Sequence, residues 1–415
     1  MKVGKGFCHP SSSEVSLNLR KKSLNVLFKF NSIMKLLLSA QTYPTKNVQL
    51  TSFLSVLAKE LVKQDVEVTV IAPQSIMTSL KHKYPLCPQI YDDIVITDKG
   101  EKKIKVIRPY TITFGRGVFY KLSIKIERFV INRFLNRIKI KPDIIYSHFW
   151  WSLENVIDFA KKNNIPSFVA TGEDKILIQK YVSQSRIDFY RKNTKGIICV
   201  SSKNEKECAE RRLSDNNTIV LPNAVDISEF YKMDKREARD FLGFPQDAFI
   251  IAFCGRFNER KGSKRVSDAI RQLSDKSIKS IFIGSSIDSK KDEPDCEGIL
   301  FKGKLPHNEI PLYLNAADVF ILPSLAEGCS NAIVEAMACG LPIISSALPF
   351  NDDICNETNS ILVNPNNITE ITEAIVTLKD PLKREELSKG ALKTASHLTI
   401  SERTKKILNF INENK

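Results

Sequence analysis

The sequence lacks three features that would each point to a particular class of protein. Among its 415 residues, no apolar run approaches the roughly 20 residues that a membrane-spanning helix needs. Its nine cysteines are odd in number and include no Cys-x-x-Cys pair, which argues against a disulfide framework or a structural zinc and favours a reducing compartment. Lysines interrupt every apolar stretch near the N-terminus, so no secretory signal is expected. These absences fit a cytoplasmic protein.

The composition that remains is typical of a globular protein with two domains. Hydrophobic residues make up 42% and charged residues 26% of the chain, and its length allows two cores of ordinary size. Residues 1–33 are Ser-rich and basic, and we interpret them as an extension that is expected to be disordered. The predicted parts are then a first domain at 34–222, a second domain at 223–397, and a C-terminal helix at 398–415 that packs back towards the first domain.

From Met34 onward, short apolar segments alternate with helical patterns, and the alternation starts again after "LPNAVD" at 221–226. This pattern predicts an α/β protein with two doubly wound, Rossmann-like domains that face each other across a cleft. The predicted strands are 34–40, 66–72, 143–147, 166–170, 197–200, 218–221, 248–254, 278–283, 318–322 and 342–345. The predicted helices include 49–63, 118–138, 152–163, 203–212, 262–274, 307–314 and 331–339.

The net charge of +15 is concentrated in one stretch: residues 101–141 carry twelve Lys or Arg against two Glu. Within it, an apolar row with four-residue spacing runs beside a basic row; the first consists of Leu122, Ile126, Val130, Phe134 and Ile138, the second of Lys121, Lys125, Arg128, Arg133 and Arg137. Such a helix either lies on an anionic membrane surface or belongs to the core with its cations in water. The sequence leaves both open. Nucleic acid is disfavoured because no nucleic-acid motif accompanies the charge.

Two glutamates, Glu327 and Glu335, stand among small and apolar residues in "PSLAEGCSNAIVEAMACG". The flanking segments predict a strand, a helix that begins after Ser330, and a second strand, as in a parallel sheet buried on both faces. Ligands of such sheets bind beyond the strand ends, and helix N-termini attract phosphate. We therefore expect Glu327 at the mouth of a pocket that binds a phosphorylated sugar, although a capping role for Glu327 and a surface ion pair for Glu335 remain the simpler alternative.

A second signal for an anion site follows the first strand of the second domain, in "CGRFNERKG". Arg256 offers a planar fork and Lys261 a point charge, and a helix begins just after them. Basic loops are common, so this motif alone is weak. Together with the Glu327 loop of the same sheet, it predicts a site for a nucleoside diphosphate.

These motifs, with "VLPNAVDISEF" and "EGCSNAIVEAMACGLPIISS", resemble glycosyltransferase family 4, the retaining nucleotide-sugar transferases with the two-domain GT-B fold. The resemblance covers nearly all of the chain from Met34 on. It implies that Glu327 holds hydroxyls of the donor sugar and that Glu335 holds the ribose. It further implies that the diphosphate is bound by Arg256, Lys261 and the backbone N–H groups of Gly328, Cys329 and Ser330.

In the first domain, "PDIIYSHFW" matches a family position where a histidine approaches the transferred sugar, which makes His148 a candidate catalytic residue. Glu173, in "ATGEDK", is a candidate for the acceptor side, with an ordinary loop charge as the alternative. The chain departs from many relatives in the loop 44–50, which has no Gly-Gly pair. Contacts from that loop are therefore not transferred.

The resemblance also implies a mechanism without a metal or cofactor. No Asp-x-Asp in a strand-end context is present, and Asp92-Asp93 and Asp352-Asp353 are predicted to be turn residues. The charge of the leaving diphosphate would be stabilised by Arg256, Lys261 and the helix N-terminus. The implied partners are a nucleotide-sugar donor and a glycan or polyprenyl-linked acceptor, in surface polysaccharide biosynthesis on the inner face of the cytoplasmic membrane. Two alternatives stay open: a GT-B sugar-nucleotide epimerase, and a catalytically silent GT-B binding subunit.

Overall fold

The structure is a computed structural model that describes residues 33–45, 52–83, 85–114, 119–215, 217–286 and 290–415. The predicted extension therefore lies outside the described residues, except for Ile33. The described chain forms two Rossmann-like units; the first is built on a parallel sheet with one antiparallel edge strand, and the second on a wholly parallel sheet.

The first unit contains an eight-stranded sheet of order β10-β9-β8-β7-β1-β2-β5-β4 and a small β3-β6 pair. Its described strands are β1 (Lys35–Ser39), β2 (Glu67–Ile71), β3 (Gln74–Ser75), β4 (Ile90–Thr97), β5 (Gly100–Ile107), β6 (Tyr110–Thr111), β7 (Ile144–His148), β8 (Ser167–Thr171), β9 (Gly196–Cys199) and β10 (Thr218–Val220). Its described helices are α1 (Ser52–Lys63), α2 (Ile76–His82), α3 (Tyr120–Ile138), α4 (Trp150–Lys162), α5 (Gln184–Asn193) and α6 (Ser202–Glu210), with a 3-10 turn at Ile178–Lys180. The central strands are buried on both faces, which explains their continuous apolar sequences.

The second unit contains a six-stranded parallel sheet of order β13-β12-β11-β14-β15-β16. Its described strands are β11 (Phe249–Cys254), β12 (Ile278–Ile283), β13 (Ile299–Gly303), β14 (Val319–Leu322), β15 (Ile343–Ser346) and β16 (Ser360–Val363). Its described helices are α7 (Lys235–Leu242), α8 (Ser263–Leu273), α9 (Ile310–Asn315), α10 (Asn331–Ala338), α11 (Ile368–Thr377) and α12 (Pro381–His397), with 3-10 turns at Lys290–Asp292 and His307–Glu309. Its core is one continuous apolar cluster. The predicted fold class is confirmed.

One prediction was wrong: Asp92 and Asp93 are not turn residues. They lie in β4, an exposed edge strand that pairs antiparallel with β5, opposite Lys105 and Ile104. Asp93 accepts a hydrogen bond from the Tyr43 hydroxyl at 3.1 Å, and Asp92 forms an ion pair with Lys103 at 3.3 Å. The strand escaped prediction because the Asp92-Asp93 pair interrupts it and leaves an apolar run of only three residues, Ile94 to Ile96, of which Ile94 and Ile96 face solvent at the sheet edge. Asp352 and Asp353 do lie in a turn.

The last helix, α13 (Ile400–Asn414), leaves the second unit and packs on the first. Its Phe410 ring meets Phe168 of β8 with ring centroids 6.1 Å apart, and it covers the backbone of Gly196, where an added Cβ would lie 2.6 Å from the ring. Arg403 donates to the carbonyl of Pro222 at 2.8 Å. The chain therefore crosses between the units twice, through the segment 221–234 and through α13.

No described helix is both long and apolar enough to span a bilayer. Helix α3 packs along α4, where Arg128 donates to the buried carboxylate of Glu154 at 2.8 Å. Of the predicted apolar row, Phe134 is buried, whereas Leu122 is 46% exposed. The helix is thus core along its C-terminal half and open to solvent along its N-terminal half.

A buried ion pair joins α7 to the central strands of the second unit. The Arg239 guanidinium donates to Asp318 Oδ2 at 2.7 Å, and both side chains are almost wholly enclosed. Arg239 also donates to three backbone carbonyls, while Asp318 accepts from the N–H of Ile250 at 2.8 Å. Burial alone raises the pKa of Asp318, but the charges of Lys235 and Arg239 and the Ile250 N–H lower it below its usual value.

We predict that Arg239→Met destabilises the protein by about 3–5 kcal/mol, because it removes the buried partner of Asp318, leaves only Lys235 paired with that carboxylate at 2.7 Å, and takes the donor away from three backbone carbonyls. Arg236→Met on the same helix is the matched control, since Arg236 is exposed, and it should change stability by about 0.5 kcal/mol or less. Urea denaturation followed by circular dichroism measures both. Equal midpoints for the two variants would contradict this account of the pair.

Candidate functional site

Strand β11 lies at the topological switch point of the second sheet, between β12 and β14. At such a point the loops after the two neighbouring strands diverge and leave a crevice for ligands. The loop after β11 carries Arg256, Arg260 and Lys261, and the loop after β14 carries Glu327. Two hydrogen bonds tie the loops together: Leu325 N–H donates to the Arg260 carbonyl at 2.8 Å, and Arg260 Nη1 donates to the Ala326 carbonyl at 2.6 Å.

The carboxylate of Glu327 lies between two cations. Lys261 Nζ stands 2.5 Å from Oε1, and Arg260 Nη1 donates to Oε2 at 3.2 Å. Glu327 is 8% exposed, so it is more enclosed than the predicted position at the mouth of a pocket. The sequence prediction brought Lys261 and Glu327 together correctly but missed Arg260, which its position beside Lys261 could have indicated.

Arg256 lies on the same loop, but its side chain is not bound to Glu327. Its side chain is exposed and makes no hydrogen bond or ion pair with any residue in the described parts of the chain. It is therefore available to an anion that arrives from solvent, whereas Arg260 and Lys261 already hold Glu327.

The N-terminus of α10 presents unused donors beside these cations. Ser330 is the N-cap residue, with φ −84° and ψ 114°, yet its side chain does not cap the helix. Its hydroxyl is buried, and no described residue bonds to it. The N–H groups of Gly328, Cys329 and Ser330 donate to no described acceptor either. Unpaired donors at a helix start form a natural anion seat.

Gly328 is also the place where the two units touch. A Cβ on Gly328 would lie 2.1 Å from the carbonyl oxygen of Gly172, so the backbones of the two units are in direct contact there. Arg260 Nε lies 3.8 Å from Asp174 of the first unit, and Asp353 accepts hydrogen bonds from the N–H and hydroxyl of Ser202. The anion seat therefore lies at the domain interface.

His148 ends β7 on the first unit and lines the cleft between the units. Its Nδ1 is buried, and no described residue bonds to it. Burial, together with the charge of Arg403, lowers the pKa of the imidazole to about 3. A neutral imidazole can bind a hydroxyl group without carrying charge.

Glu173 follows β8, and its carboxylate faces the protein. It accepts hydrogen bonds from the Thr171 hydroxyl at 2.6 Å, the Gly172 N–H at 3.0 Å and the Trp150 N–H at 3.3 Å. Burial raises its pKa, which these hydrogen bonds oppose. Phe149, just before Trp150, has φ 73°, an uncommon value for such a side chain. Glu173 thus helps to hold the loop that carries His148, and its predicted contact with the acceptor stays a prediction.

The cleft has a volume of about 1220 Å³ and takes its walls from both units. Its lining includes His148, Phe149, Gly172, His307, Cys329 and Asn331. Glu335 lines a smaller adjoining cavity of about 20 Å³, which shares His307 and Asn331 with the cleft. The cleft thus joins Cys329 of the anion seat to the neutral imidazole of His148, whereas Arg256, Lys261 and Glu327 are not among its lining residues.

Two family models match the chain, and the boundary between them falls in the segment that joins the two units. The model described as Glycosyltransferase Family 4 matches residues 51–229, and the model described as Glycosyl transferases group 1 matches residues 234–394. Together they cover the second sheet and all of the first sheet except β1.

Named relatives point to the same family. The chain is 26% identical over 328 residues to TuaC of Bacillus subtilis, which is named as a putative glycosyltransferase of teichuronic acid biosynthesis. The aligned region covers 76% of this chain and 82% of TuaC. It is 29% identical over 233 residues to a UDP-Gal:alpha-D-GlcNAc-diphosphoundecaprenol alpha-1,3-galactosyltransferase of Escherichia coli, covering 53% of this chain and 60% of the relative.

Solved structures share the fold. Sucrose-phosphate synthase from Thermosynechococcus elongatus superposes with a TM-score of 0.74 at 18% identity, over 92% of this chain and 99% of that one. Anabaena HepE in complex with UDP and glucose superposes with a TM-score of 0.67 at 18% identity, over 92% and 100% of the chains. The family models, the relatives and the two-sheet architecture agree: this chain belongs to glycosyltransferase family 4 and has the GT-B fold.

Proposed function

We propose that this glycosyltransferase retains anomeric configuration and moves a sugar from a nucleoside diphosphate sugar to a lipid-linked glycan in surface polysaccharide biosynthesis. The observation that carries the proposal is the paired Lys261 and Glu327 beside the unused donors of Ser330. The names of the relatives support the pathway and the acceptor, since one is named for teichuronic acid biosynthesis and another for a diphosphoundecaprenol substrate. The UDP in the HepE complexes supports the donor class.

Each charged residue has a proposed role in donor binding. Arg256 and the N–H groups of Gly328, Cys329 and Ser330 bind the diphosphate, and Lys261 joins them. A lysine ammonium has three donors, so Lys261 can contact phosphate while it still holds Glu327. Glu327 then accepts hydrogen bonds from hydroxyls of the donor sugar, and Glu335 does so from the ribose.

The proposed reaction needs no general base from the protein. The bond between the anomeric carbon and the diphosphate oxygen breaks, and the acceptor hydroxyl oxygen bonds to that carbon from the same face. The hydroxyl proton passes to the leaving phosphate oxygen. Charge that develops on the diphosphate is stabilised by Arg256, Lys261 and the α10 N-terminus, while His148 binds the transferred sugar across the cleft. No metal or cofactor takes part in this scheme.

Two other functions were left open by the sequence, and the site argues against both. A sugar-nucleotide epimerase has no evident use for the Glu327 and Glu335 pair. A silent binding subunit has no evident need for the buried Lys261–Glu327 pair at the strand ends, because buried charges cost free energy.

A screen of nucleotide sugars by thermal unfolding tests the proposal directly. We predict that one donor stabilises the protein by about 2.7 kcal/mol when present at a hundredfold excess over its dissociation constant. The same donor should lose its sugar to a lipid-linked acceptor mixture with retained configuration, as read by NMR. Stabilisation without transfer to any acceptor would favour the silent subunit, and interconversion of the free sugar nucleotide would favour the epimerase.

We predict that Glu327→Gln or Lys261→Ala lowers turnover by on the order of a hundredfold or more, because Lys261 stabilises the charge that develops on the diphosphate and Glu327 holds both Lys261 and the donor sugar in place. Glu335→Ala should instead raise the donor KM more than it lowers kcat, since the ribose is bound about equally in ground and transition states. Glu373→Ala, at an exposed glutamate of α11, is the control and should leave both constants unchanged. Transfer by Glu327→Gln at close to the parental rate would refute the assignment.

The N-terminal half of α3 supports a membrane contact as part of the same proposal. Phe119, Leu122 and Phe129 are 62%, 46% and 65% exposed, and Lys121 and Lys125 lie beside them. Apolar side chains flanked by lysines suit the surface of an anionic bilayer. This surface would bring the first unit to a lipid-linked acceptor.

We predict that the protein sediments with phosphatidylglycerol-containing vesicles at low salt and is released at high salt, because screening weakens the lysine contacts. A Leu122→Ser/Phe129→Ser variant should lose this binding. Phe241→Ser is the matched control, because Phe241 is 80% exposed on the second unit. Equal binding to neutral phosphatidylcholine vesicles, or sedimentation of both variants like the parent, would rule out this surface.

A further inference from the structure

His307 lies between two carboxylates, one on each side of the imidazole. Its Nε2 is 3.2 Å from Glu335 Oε1, within hydrogen-bond distance, and its Nδ1 is 3.6 Å from Glu229 Oε2, an ion-pair distance. The ring also packs edge-on against Phe230, with centroids 5.0 Å apart. No motif in the sequence singled out this histidine.

The three residues come from three separate parts of the second unit. His307 begins the 3-10 turn His307–Glu309, and Glu335 lies within α10. Glu229 belongs to the segment 221–234 that joins the two units, and it lines the cleft together with His307. The carboxylates of Glu229 and Glu335 raise the pKa of His307 to about 9, against the opposing effect of burial. In the protonated ring that this pKa favours, Nε2–H donates to Glu335, and the positive charge attracts Glu229.

The contact uses only one oxygen of Glu335. Its Oε1 accepts from His307, and its Oε2 has no partner among the described residues. A glutamate side chain has three rotatable torsions, and fixing them costs conformational free energy. Because His307 already holds one oxygen of Glu335, the torsions of that side chain are restricted before a ligand binds, and the second oxygen stays free to accept a hydrogen bond. Glu335 also lines the small cavity that adjoins the cleft.

We propose that His307 is a positioning residue for the nucleotide: it holds Glu335 through Oε1 so that the other oxygen meets the bound nucleoside diphosphate, and Glu229 holds His307 in turn. This inference rests on the proposed donor site and adds a residue to it. A purely structural ion pair would connect the same three side chains without any effect on nucleotide affinity.

The experiment measures binding of UDP, GDP, ADP and CDP by titration calorimetry, first with the parent protein. His307→Leu and His307→Gln are then compared with the parent using the nucleotide that binds it. His397→Leu is the matched control, because His397 is exposed at the end of α12 in the same unit. Melting temperatures of all variants report on folding. Glu335→Gln and the double variant His307→Leu/Glu335→Gln complete a mutant cycle.

We expect His307→Leu to weaken nucleotide binding by on the order of tenfold, as for loss of one charge-assisted hydrogen bond. In the Glu335→Gln background the same substitution should have little further effect, because its target is already changed. With a transferable donor, the donor KM should rise while kcat stays within about twofold of the parent, as for a contact made equally in both states. His397→Leu should bind like the parent.

Each contrary outcome has a distinct meaning. If the parent binds none of the four nucleotides, the proposed donor site is wrong and this inference falls with it. If the parent binds one of them and both His307 variants bind it equally well, the proposed function stands and the inference is overturned. The inference is also overturned if His307→Leu causes its full loss in the Glu335→Gln background, because His307 then acts independently of Glu335.

Discussion

The candidate site depends on one buried ion pair, between Lys261 and Glu327. The two residues come from the loops that follow neighbouring strands, β11 and β14, at the switch point of the second sheet. Neither charge could be buried alone without a cost of several kcal/mol, so each loop conformation requires the other. Arg260 strengthens the link by holding both Glu327 and the Ala326 carbonyl. The loops are therefore fixed before any ligand binds, which is the condition for electrostatic stabilisation of a transition state.

In the first unit, a carboxylate likewise fixes a loop that lines the cleft. Glu173 binds the N–H groups around the strained backbone of Phe149 and so fixes the loop that carries His148. At Gly328 the contact between the units is made by backbone alone, because a Cβ there would overlap Gly172. Two rigid loops that meet through glycine can approach more closely than side chains would allow. Of the anion seat, Cys329 lines the same cleft as His148.

The sequence predicted what depends on strongly patterned segments, and it missed what depends on tertiary contacts. Continuous apolar strands and the two-glutamate motif were sufficient for the fold class and for placing Glu327 near Lys261. The edge strand β4 was missed because the Asp92-Asp93 pair interrupts its apolar residues, and both aspartates were taken for turn residues as a result. Arg260 was missed although it stands beside Lys261, because the family resemblance assigned roles only to Arg256 and Lys261 in that loop. His307 was missed because its contact with Glu335, 28 residues away, arises from the tertiary fold and not from any local spacing.

The distribution of charge explains how one site can be stable when empty and still attract a diphosphate. Lys261 and Arg260 are matched by Glu327, with Asp174 close to Arg260. Arg256, on the same loop as Lys261, remains exposed without a side-chain partner in the described chain, and the donors at the start of α10 are unused. Because solvent lowers the free-energy cost of a single unpaired cation, the exposed Arg256 destabilises the empty site only slightly. The buried pair thus maintains the shape of the site, while the exposed arginine and the helix N-terminus retain the free positive potential that an anionic donor would neutralise.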